Sequence, residues 1–355
     1  MVEEIKKTSS RSKKTSEVRS SSQALQKASV KRKPSAEQSK AKAIVPKPKK
    51  VKIRSDKKIK ATEDNIQKKD DAGNLDNEVK KSPKPSYDKK RLVDLAEIHP
   101  TTKYIYQLKK KRTIIGLTAY DSIMAKLVSK AGVDFILVGD SVGTTMLGFD
   151  TTIPVTINDM VHHTAAVRRG MPGCLVVADL PFGEASLSFD RLLDSARRLM
   201  QCGADAVKIE GGKDIADDIE KLVATGIPVM GHIGLLPQTV KAIGGYRKFG
   251  TTREEADELY TDAISLEEAG CFAIIAEMMD EEIAAHLADQ ILPPLIGIGS
   301  GHQTDGEILV THDLLGLTPS PLPSFVKPCA SLGLDGLNAL QDYVVNLRNR
   351  PVKKK

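Results

Sequence analysis

Short apolar runs that alternate with amphipathic stretches are the feature of this sequence that most limits its fold. From residue 113 onward each run is at most eight residues long and rich in Val, Ile or Leu. The runs are Thr113–Tyr120, Phe135–Asp140, Cys174–Leu180, Ala206–Glu210, Pro228–Gly234, Ala273–Met279 and Pro294–Gly299. Such near-continuous apolar strands are typical of a parallel sheet that is covered on both faces.

Helical patterns lie between these runs. Leu187–Met200 and Arg253–Ala269 each place their apolar residues on one face at helical spacing. Glycines follow the predicted helix ends at Gly132, Gly203, Gly226 and Gly270, as expected for residues that terminate helices. The chain therefore contains at least seven β-α units, and residues 305–318 are the predicted place of an eighth strand.

Repeated β-α units fit either a doubly wound sheet or a closed barrel. Polar residues end many of the predicted strands instead of clustering at one switch point, and this favours an α/β fold of the TIM (β/α)8 barrel type. Residues 91–355 are of a suitable length for one such catalytic domain.

The first 90 residues differ in character from the rest of the chain. They hold 27 Lys and Arg against 12 Asp and Glu, whereas the remainder holds 26 against 34. They contain no Phe, Trp or Cys, so they cannot bury enough apolar surface to offset the entropy lost on ordering. We predict that residues 1–90 are a disordered, basic, Lys- and Ser-rich extension.

The location and partners of the chain are only partly constrained by the sequence. Four widely spaced cysteines and no long apolar run favour a cytoplasmic protein without disulfides or membrane spans. A mitochondrial location is the alternative if the extension is a presequence. Residues 45–60 are basic enough to bind nucleic acid, but the extension has no aromatic platform for base stacking, so a solvated tail is the preferred interpretation.

Ionisable residues end five successive predicted strands. They are Asp140, Asp179, Glu210, His232 and Glu277. In TIM barrels the carboxyl ends of the strands surround the active site, so these side chains are predicted to share one pocket. A single acid at a strand end can equally well cap a helix, but three on adjacent strands indicate a functional cluster.

The three acids on adjacent strands are Asp140, Asp179 and Glu210. Their carboxylates are the hard oxygen ligands that Mg²⁺ or Mn²⁺ prefers. Lys208 lies two residues before Glu210 and so points to the same face, one layer deeper in the barrel. It is either a structural ion-pair partner or a cation for a substrate carboxylate. His232 and Glu277 have acid–base character, and a carboxylate at an apolar strand end can act as a base near neutral pH.

Several segments resemble one enzyme family, 3-methyl-2-oxobutanoate (ketopantoate) hydroxymethyltransferase. The resemblance covers about residues 95–330 and includes VGDS (138–141), VKIEGG (207–212) and GHIGLLPQ (231–238). It implies a TIM barrel and transfer of a hydroxymethyl group from 5,10-methylenetetrahydrofolate to 3-methyl-2-oxobutanoate, which yields 2-dehydropantoate for pantothenate and coenzyme A biosynthesis. It also implies a homo-oligomer.

The resemblance further implies a role for each site residue. Asp140, Asp179 and Glu210 surround the Mg²⁺, and the keto acid contacts Asp140, Ser141, Asp179 and Lys208, with His232 close by. Glu277 occupies the position of the proton acceptor, so that the Mg²⁺-chelated keto acid is deprotonated and attacks the one-carbon unit. The strand-end acids alone leave a second enzyme class open. It is a related barrel enzyme that cleaves or isomerises oxo acids, like the isocitrate lyase and phosphoenolpyruvate mutase relatives.

Overall fold

A computed structural model describes residues 100–170, 173–319 and 321–351. Eight strands form a closed barrel in the order of the sequence, and every neighbouring pair is parallel. The strands are β1 (Ile114–Thr118), β2 (Phe135–Val138), β3 (Leu175–Asp179), β4 (Ala206–Glu210), β5 (Val229–Gly234), β6 (Ala273–Glu277), β7 (Leu295–Ile298) and β8 (Gly306–Leu309). The predicted TIM barrel is confirmed.

Helices alternate with the strands around the barrel. They are α1 (Thr102–Leu108), α2 (Ser122–Ala131), α3 (Val142–Thr145), α4 (Ile157–Gly170), α5 (Phe189–Gln201), α6 (Lys213–Ala224), α7 (Val240–Ile243), α8 (Arg253–Glu268), α9 (Glu281–Gln290), α10 (Thr311–Leu314) and α11 (Leu332–Arg348). Both helices predicted from periodicity are therefore present, with bounds that differ from the prediction by at most two residues.

Local sequence signals explain where these helices begin and end. Ser188 and Thr252 accept backbone N–H groups at the first turns of α5 and α8 through their side chains, as N-cap residues do. The apolar face of α5 buries Leu192, Ala196 and Leu199 against the sheet. Gly132 ends α2 with a φ of +89°, a conformation that costs glycine little because it has no Cβ.

The barrel interior is closed at the amino-terminal ends of the strands. Ile105 and Leu108 of α1 belong to the same buried cluster as the first residues of several strands, among them Ile114 and Phe135. Gly116 makes room for the Phe135 ring, because a Cβ there would lie 2.3 Å from a ring carbon. The cavity lined by inward-facing strand residues lies at the opposite end, where the strands finish.

The eighth strand is the element that the sequence defined least well. β8 falls inside the predicted range 305–318, but it is only four residues long and is followed by the single-turn helix α10. Helix α11 comes later and has no buried residue in the described chain. The short length of β8 and its exposed residue Glu307 explain why the apolar pattern of this strand is weak.

The predictions for residues 1–90 lie outside the described residues, and the boundary of the barrel domain at residue 91 stays a prediction for the same reason. In the described parts of the chain, no helix is both long enough and apolar enough to cross a membrane. All four cysteines are free thiols, with Cys174 and Cys271 buried.

Candidate active site

The barrel brings the predicted strand-end residues together. Asp179, Glu210 and Glu277 are the last residues of β3, β4 and β6. Asp179 is in register with Lys208, and Glu210 is in register with His232 on the next strand. All seven predicted site residues line one inner cavity of about 160 Å³ at the carboxyl end of the barrel. The seven are Asp140, Ser141, Asp179, Lys208, Glu210, His232 and Glu277.

Lys208 lies at the base of this cavity and is 4% exposed. Its Nζ is 2.9 Å from Asp179 Oδ1 and 3.2 Å from His232 Nδ1. Burial acts to lower the pKa of Lys208, but the charges of Asp179, Glu210 and Asp140 outweigh burial and the pKa is raised. The lysine is therefore a charged ammonium that partly compensates the surrounding carboxylates.

The three acids predicted to hold a metal are joined through backbone and amide groups. The Asp140 N–H donates to Asp179 Oδ2 over 2.9 Å. Gln238 donates its side-chain Nε2–H to Asp140 Oδ2 over 2.9 Å and its backbone N–H to Glu210 Oε2 over 3.0 Å. Burial, followed by the charge of Asp179, raises the pKa of Asp140 to about 7. Burial, followed by the charge of Asp140, raises the pKa of Glu210 well above its usual value.

One buried oxygen of this cluster, Glu210 Oε1, has no hydrogen-bond partner among the described residues. Asp179 Oδ1 also lacks a hydrogen bond there, but it lies 2.9 Å from the Lys208 ammonium, which compensates its charge. An unsatisfied buried carboxylate oxygen is costly, and a hard cation would satisfy Glu210 Oε1. In the chain as described, no three acid, His or Cys side chains form a ready-made metal cage. Carboxylate oxygens are nonetheless of the donor type that fits Mg²⁺, which uses few carboxylates and fills its other positions with water and substrate oxygens.

Glu277 and His232 lie on the side of the cluster opposite the aspartates. His232 Nε2 is 3.3 Å from Glu277 Oε2, without the alignment of a hydrogen bond. Burial, followed by the charge of Lys208, lowers the pKa of His232 well below its usual value, so the imidazole is neutral. Burial raises the pKa of Glu277 to about 7, against the opposing charge of Lys208. Glu277 is thus a carboxyl group that can exchange a proton near neutral pH.

The backbone after Glu277 turns sharply. Met278 has a φ of +49°, which is uncommon for a residue with a side chain. The Met279 N–H donates to Ser300 Oγ over 2.9 Å, and the Ser300 hydroxyl donates to the Ala276 carbonyl over 2.8 Å. These bonds hold both sides of Glu277, whose side chain lines the cavity.

Two residues of the site were missed by the sequence interpretation. Gln238 is one, and it lies at the end of the segment GHIGLLPQ. Tyr120 is the other: it is fully buried, and its hydroxyl is 2.8 Å from Ser141 Oγ. Tyr120 ends the predicted strand Thr113–Tyr120, and Gln238 follows the predicted strand Pro228–Gly234 by four residues. A position at or just after a strand end is the signal that could have identified them. Neither side chain is charged, so neither was noticeable in a search for ionisable groups.

A second, larger cavity opens directly above the first. It has a volume of about 700 Å³ and is lined by polar and aromatic residues, including Thr144, Phe149 and Phe325. Ser141, Thr144, Tyr246, Glu277 and Val310 line both cavities. The two spaces therefore adjoin at these residues, two of which, Ser141 and Glu277, are predicted site residues.

A closed (β/α)8 barrel with a buried polar cluster at its carboxyl end defines a barrel enzyme. A profile of the ketopantoate hydroxymethyltransferase family matches residues 99–352. The chain therefore belongs to the ketopantoate hydroxymethyltransferase family, and it is a transferase.

Individual relatives agree with this assignment. The 3-methyl-2-oxobutanoate hydroxymethyltransferase of Shouchella clausii is 47% identical over 252 residues, which are 70% of this chain and 90% of the relative. That of Thermotoga neapolitana is 48% identical over 237 residues, 67% of this chain and 88% of the relative. Among solved structures, the phosphoenolpyruvate phosphomutase of Streptomyces platensis subsp. rosaceus is 14% identical, with a TM-score of 0.50 over 69% of this chain and 88% of that one. This last similarity concerns the fold alone.

Proposed function

We propose that this chain transfers a hydroxymethyl group from 5,10-methylenetetrahydrofolate to 3-methyl-2-oxobutanoate, forming 2-dehydropantoate for pantothenate and coenzyme A biosynthesis. The observation that carries the proposal is the inner cavity, where three acids, a charged lysine and a carboxyl group with a pKa of about 7 line one small space. The similarity to 3-methyl-2-oxobutanoate hydroxymethyltransferases supports the same reaction.

Asp140, Asp179 and Glu210 are the proposed Mg²⁺ ligands. The raised pKa values of Asp140 and Glu210 support this, as does Glu210 Oε1, which has no hydrogen-bond partner among the described residues, because a divalent cation would compensate the crowded negative charge. When bound, the ion supplies Lewis-acid polarisation of the keto acid carbonyl, which makes the neighbouring C–H group more acidic.

Binding of the keto acid is assigned to the polar groups around this metal site. Lys208 supplies positive charge for the substrate carboxylate, and the Ser141 hydroxyl, which is held by Tyr120, supplies a hydrogen bond. His232 is neutral, so it offers a hydrogen bond without adding charge. These groups orient a small, doubly oxygenated acid and exclude bulk water from it.

Glu277 is the proposed general base. It removes the proton from the branched carbon of the keto acid, and that carbon then bonds to the one-carbon unit. The C–N bonds that hold this unit to the folate break, and water supplies the hydroxyl group. Tetrahydrofolate leaves, and its nitrogens take up one proton from the water and the equivalent of the proton removed from the keto acid. A pKa of about 7 suits this task, because the group is a stronger base than an ordinary carboxylate while much of it is still ionised at neutral pH.

The outer cavity is the proposed site of the folate donor. Its volume is several times that of the inner cavity, and the rings of Phe149 and Phe325 offer apolar faces to a flat heterocycle. Glu277 lines both spaces, which agrees with transfer of a carbon unit between the two substrates.

A homo-oligomer is proposed from the apolar face of α11. Leu334, Leu337 and Leu340 are spaced at three residues along this helix and are each more than half exposed. An exposed apolar patch of this kind is typical of protein interfaces, and a second copy of this chain is the proposed partner. Light scattering during size-exclusion chromatography should then give a mass above that of one chain. The cytoplasmic location stays a prediction.

The test is an assay of 2-dehydropantoate formation with both substrates and Mg²⁺. Product formation should fall to background in EDTA and return with excess Mg²⁺. Asp140→Asn should lose activity, whereas Asp190→Asn, which alters an exposed acid of α5, should not. Unchanged activity in EDTA would contradict the metal assignment. Turnover of a phosphonate or dicarboxylic oxo acid in place of 3-methyl-2-oxobutanoate would contradict the proposed substrate.

A further inference from the structure

Gln238 makes three hydrogen bonds that join the ends of three strands. It lies in the single 3-10 turn Pro237–Thr239 that follows β5. Its side-chain Nε2 donates to Asp140 Oδ2 after β2 and to the Leu180 carbonyl after β3, both over 2.9 Å. Its backbone N–H donates to Glu210 Oε2 at the end of β4 over 3.0 Å.

The orientation of the Gln238 amide follows from its two acceptors. A carboxylate oxygen and a carbonyl oxygen can only accept, so the atom between them must be the NH₂ nitrogen. Both of its hydrogens are thereby used. The amide cannot rotate by half a turn without placing its own oxygen against two other oxygens, so the side chain is locked.

The fixed position of the Gln238 side chain determines which carboxylate oxygens of two acids remain free to bind another group. Asp140 and Glu210 each give one oxygen to Gln238, and the second oxygen of each stays available. Glu210 Oε1 has no hydrogen-bond partner within the described residues. Asp140 and Glu210 repel each other, and the Gln238 donors hold one oxygen of each in place against that repulsion.

We propose that Gln238 is a positioning residue that holds Asp140 and Glu210 in the orientation in which their free oxygens receive a divalent cation. This inference rests on the metal assignment of the proposed function and extends it to a neutral side chain whose amide contacts Asp140 and the Leu180 carbonyl. The role is that of an outer-shell partner, and the loss of such a partner weakens metal affinity by about 10- to 100-fold in characterised sites.

The structure offers a matched set of variants. Gln238→Met keeps the length and volume of the side chain but removes the donor. Gln238→Ala removes more atoms, and both variants retain the backbone N–H to Glu210. Gln201→Met is the control, because Gln201 is an exposed residue at the end of α5 whose amide oxygen accepts a hydrogen bond from Arg197 on the same helix.

Mn²⁺ serves as the probe, and its binding to the full-length protein is measured from the electron paramagnetic resonance signal of the free ion, independently of activity. The dissociation constant should rise by about 10- to 100-fold in Gln238→Met and stay at the wild-type value in Gln201→Met. At saturating Mg²⁺ the kcat of Gln238→Met should return to within about threefold of wild type, because the amide acts through the metal ligands.

Each outcome distinguishes the inference from the function on which it rests. An unchanged Mn²⁺ dissociation constant in a folded Gln238→Met protein would overturn the positioning role and leave the metal site intact. A lowered kcat with unchanged metal affinity would do the same. If Gln238→Met does not fold, the Gln238→Ala protein provides the measurement. A wild-type protein that binds no Mn²⁺ would overturn both the metal site and the role of Gln238.

Discussion

Replacing Lys208 with Met removes the ammonium group that lies among the buried carboxylates of the site. Lys208 Nζ is 2.9 Å from Asp179 Oδ1, and both side chains are at most 5% exposed. Breaking a buried ion pair by deleting one partner costs about 3–5 kcal/mol, because the other charge stays buried without compensation. A domain of this size loses about 2–4 °C of Tm for each kcal/mol. We therefore expect the Tm of Lys208→Met to fall by about 6–20 °C at neutral pH.

The loss should also depend on pH, with a definite sign. The pKa of Lys208 is raised in the folded protein, so its stabilisation is complete throughout the neutral range and is lost only as pH rises through that raised value. Asp140 and Glu210 have raised pKa values that Lys208 acts to lower. Without the lysine these values rise further, and the folded variant binds more protons than the unfolded chain. Its free energy of unfolding must then decrease as pH increases.

The assay is thermal unfolding followed by circular dichroism at pH 5.5, 7.0 and 8.5 in metal-free buffer. The deficit of Lys208→Met relative to wild type should be smallest at pH 5.5 and largest at pH 8.5. Lys221→Met is the control, because Lys221 forms an exposed ion pair with Asp218 on α6, and its Tm should match wild type at each pH. A Lys208→Met protein whose Tm at pH 8.5 equals that of wild type would refute the reasoning.

The remaining predictions concern Glu277 and its surroundings. Glu277→Gln should lower kcat by about 10²- to 10⁴-fold and leave the Mn²⁺ dissociation constant unchanged. A variant with wild-type kcat would exclude Glu277 as the base. In wild type, kcat/KM should rise with pH to a plateau above about 7 as Glu277 loses its proton, whereas a flat profile between pH 5.5 and 8.5 would contradict the raised pKa. Gly234→Ala should lower both Tm and kcat, because Gly234 has a φ of +90° and a Cβ there would lie 2.3 Å from the Glu277 carbonyl oxygen. Thermal unfolding followed by far-ultraviolet circular dichroism measures the Tm, and a turnover assay measures kcat. A variant with wild-type Tm and kcat would count against that contact.

Much of the barrel could be predicted because strand signals are local. Seven apolar runs coincide with β1 to β7, since a strand covered on both faces needs apolar residues at nearly every position. β8 was harder to place, because it is short and Glu307 faces outward. Periodicity within a window of four residues cannot distinguish such a strand from a turn or a helix end.

The site could be predicted in part, for a topological reason. Parallel strands of a barrel all finish at the same end, so acids that follow strands far apart in sequence are expected to meet there. Uncharged residues such as Tyr120 and Gln238 carry no such signal. Their importance comes from the hydrogen bonds that they make to Ser141 and Asp140, and these partners are 21 and 98 residues away.

The sequence alone thus determined the alternating β-α units and the set of ionisable residues at the strand ends, because both depend on the order of residues along the chain. The tertiary structure decided the closure of the barrel through pairing of β1 with β8, the ion pair between Lys208 and Asp179, and the raised pKa of Glu277. Each of these depends on atoms that come from distant parts of the chain. Burial and charge at a point in space are sums over such atoms, and no local pattern of residues specifies them.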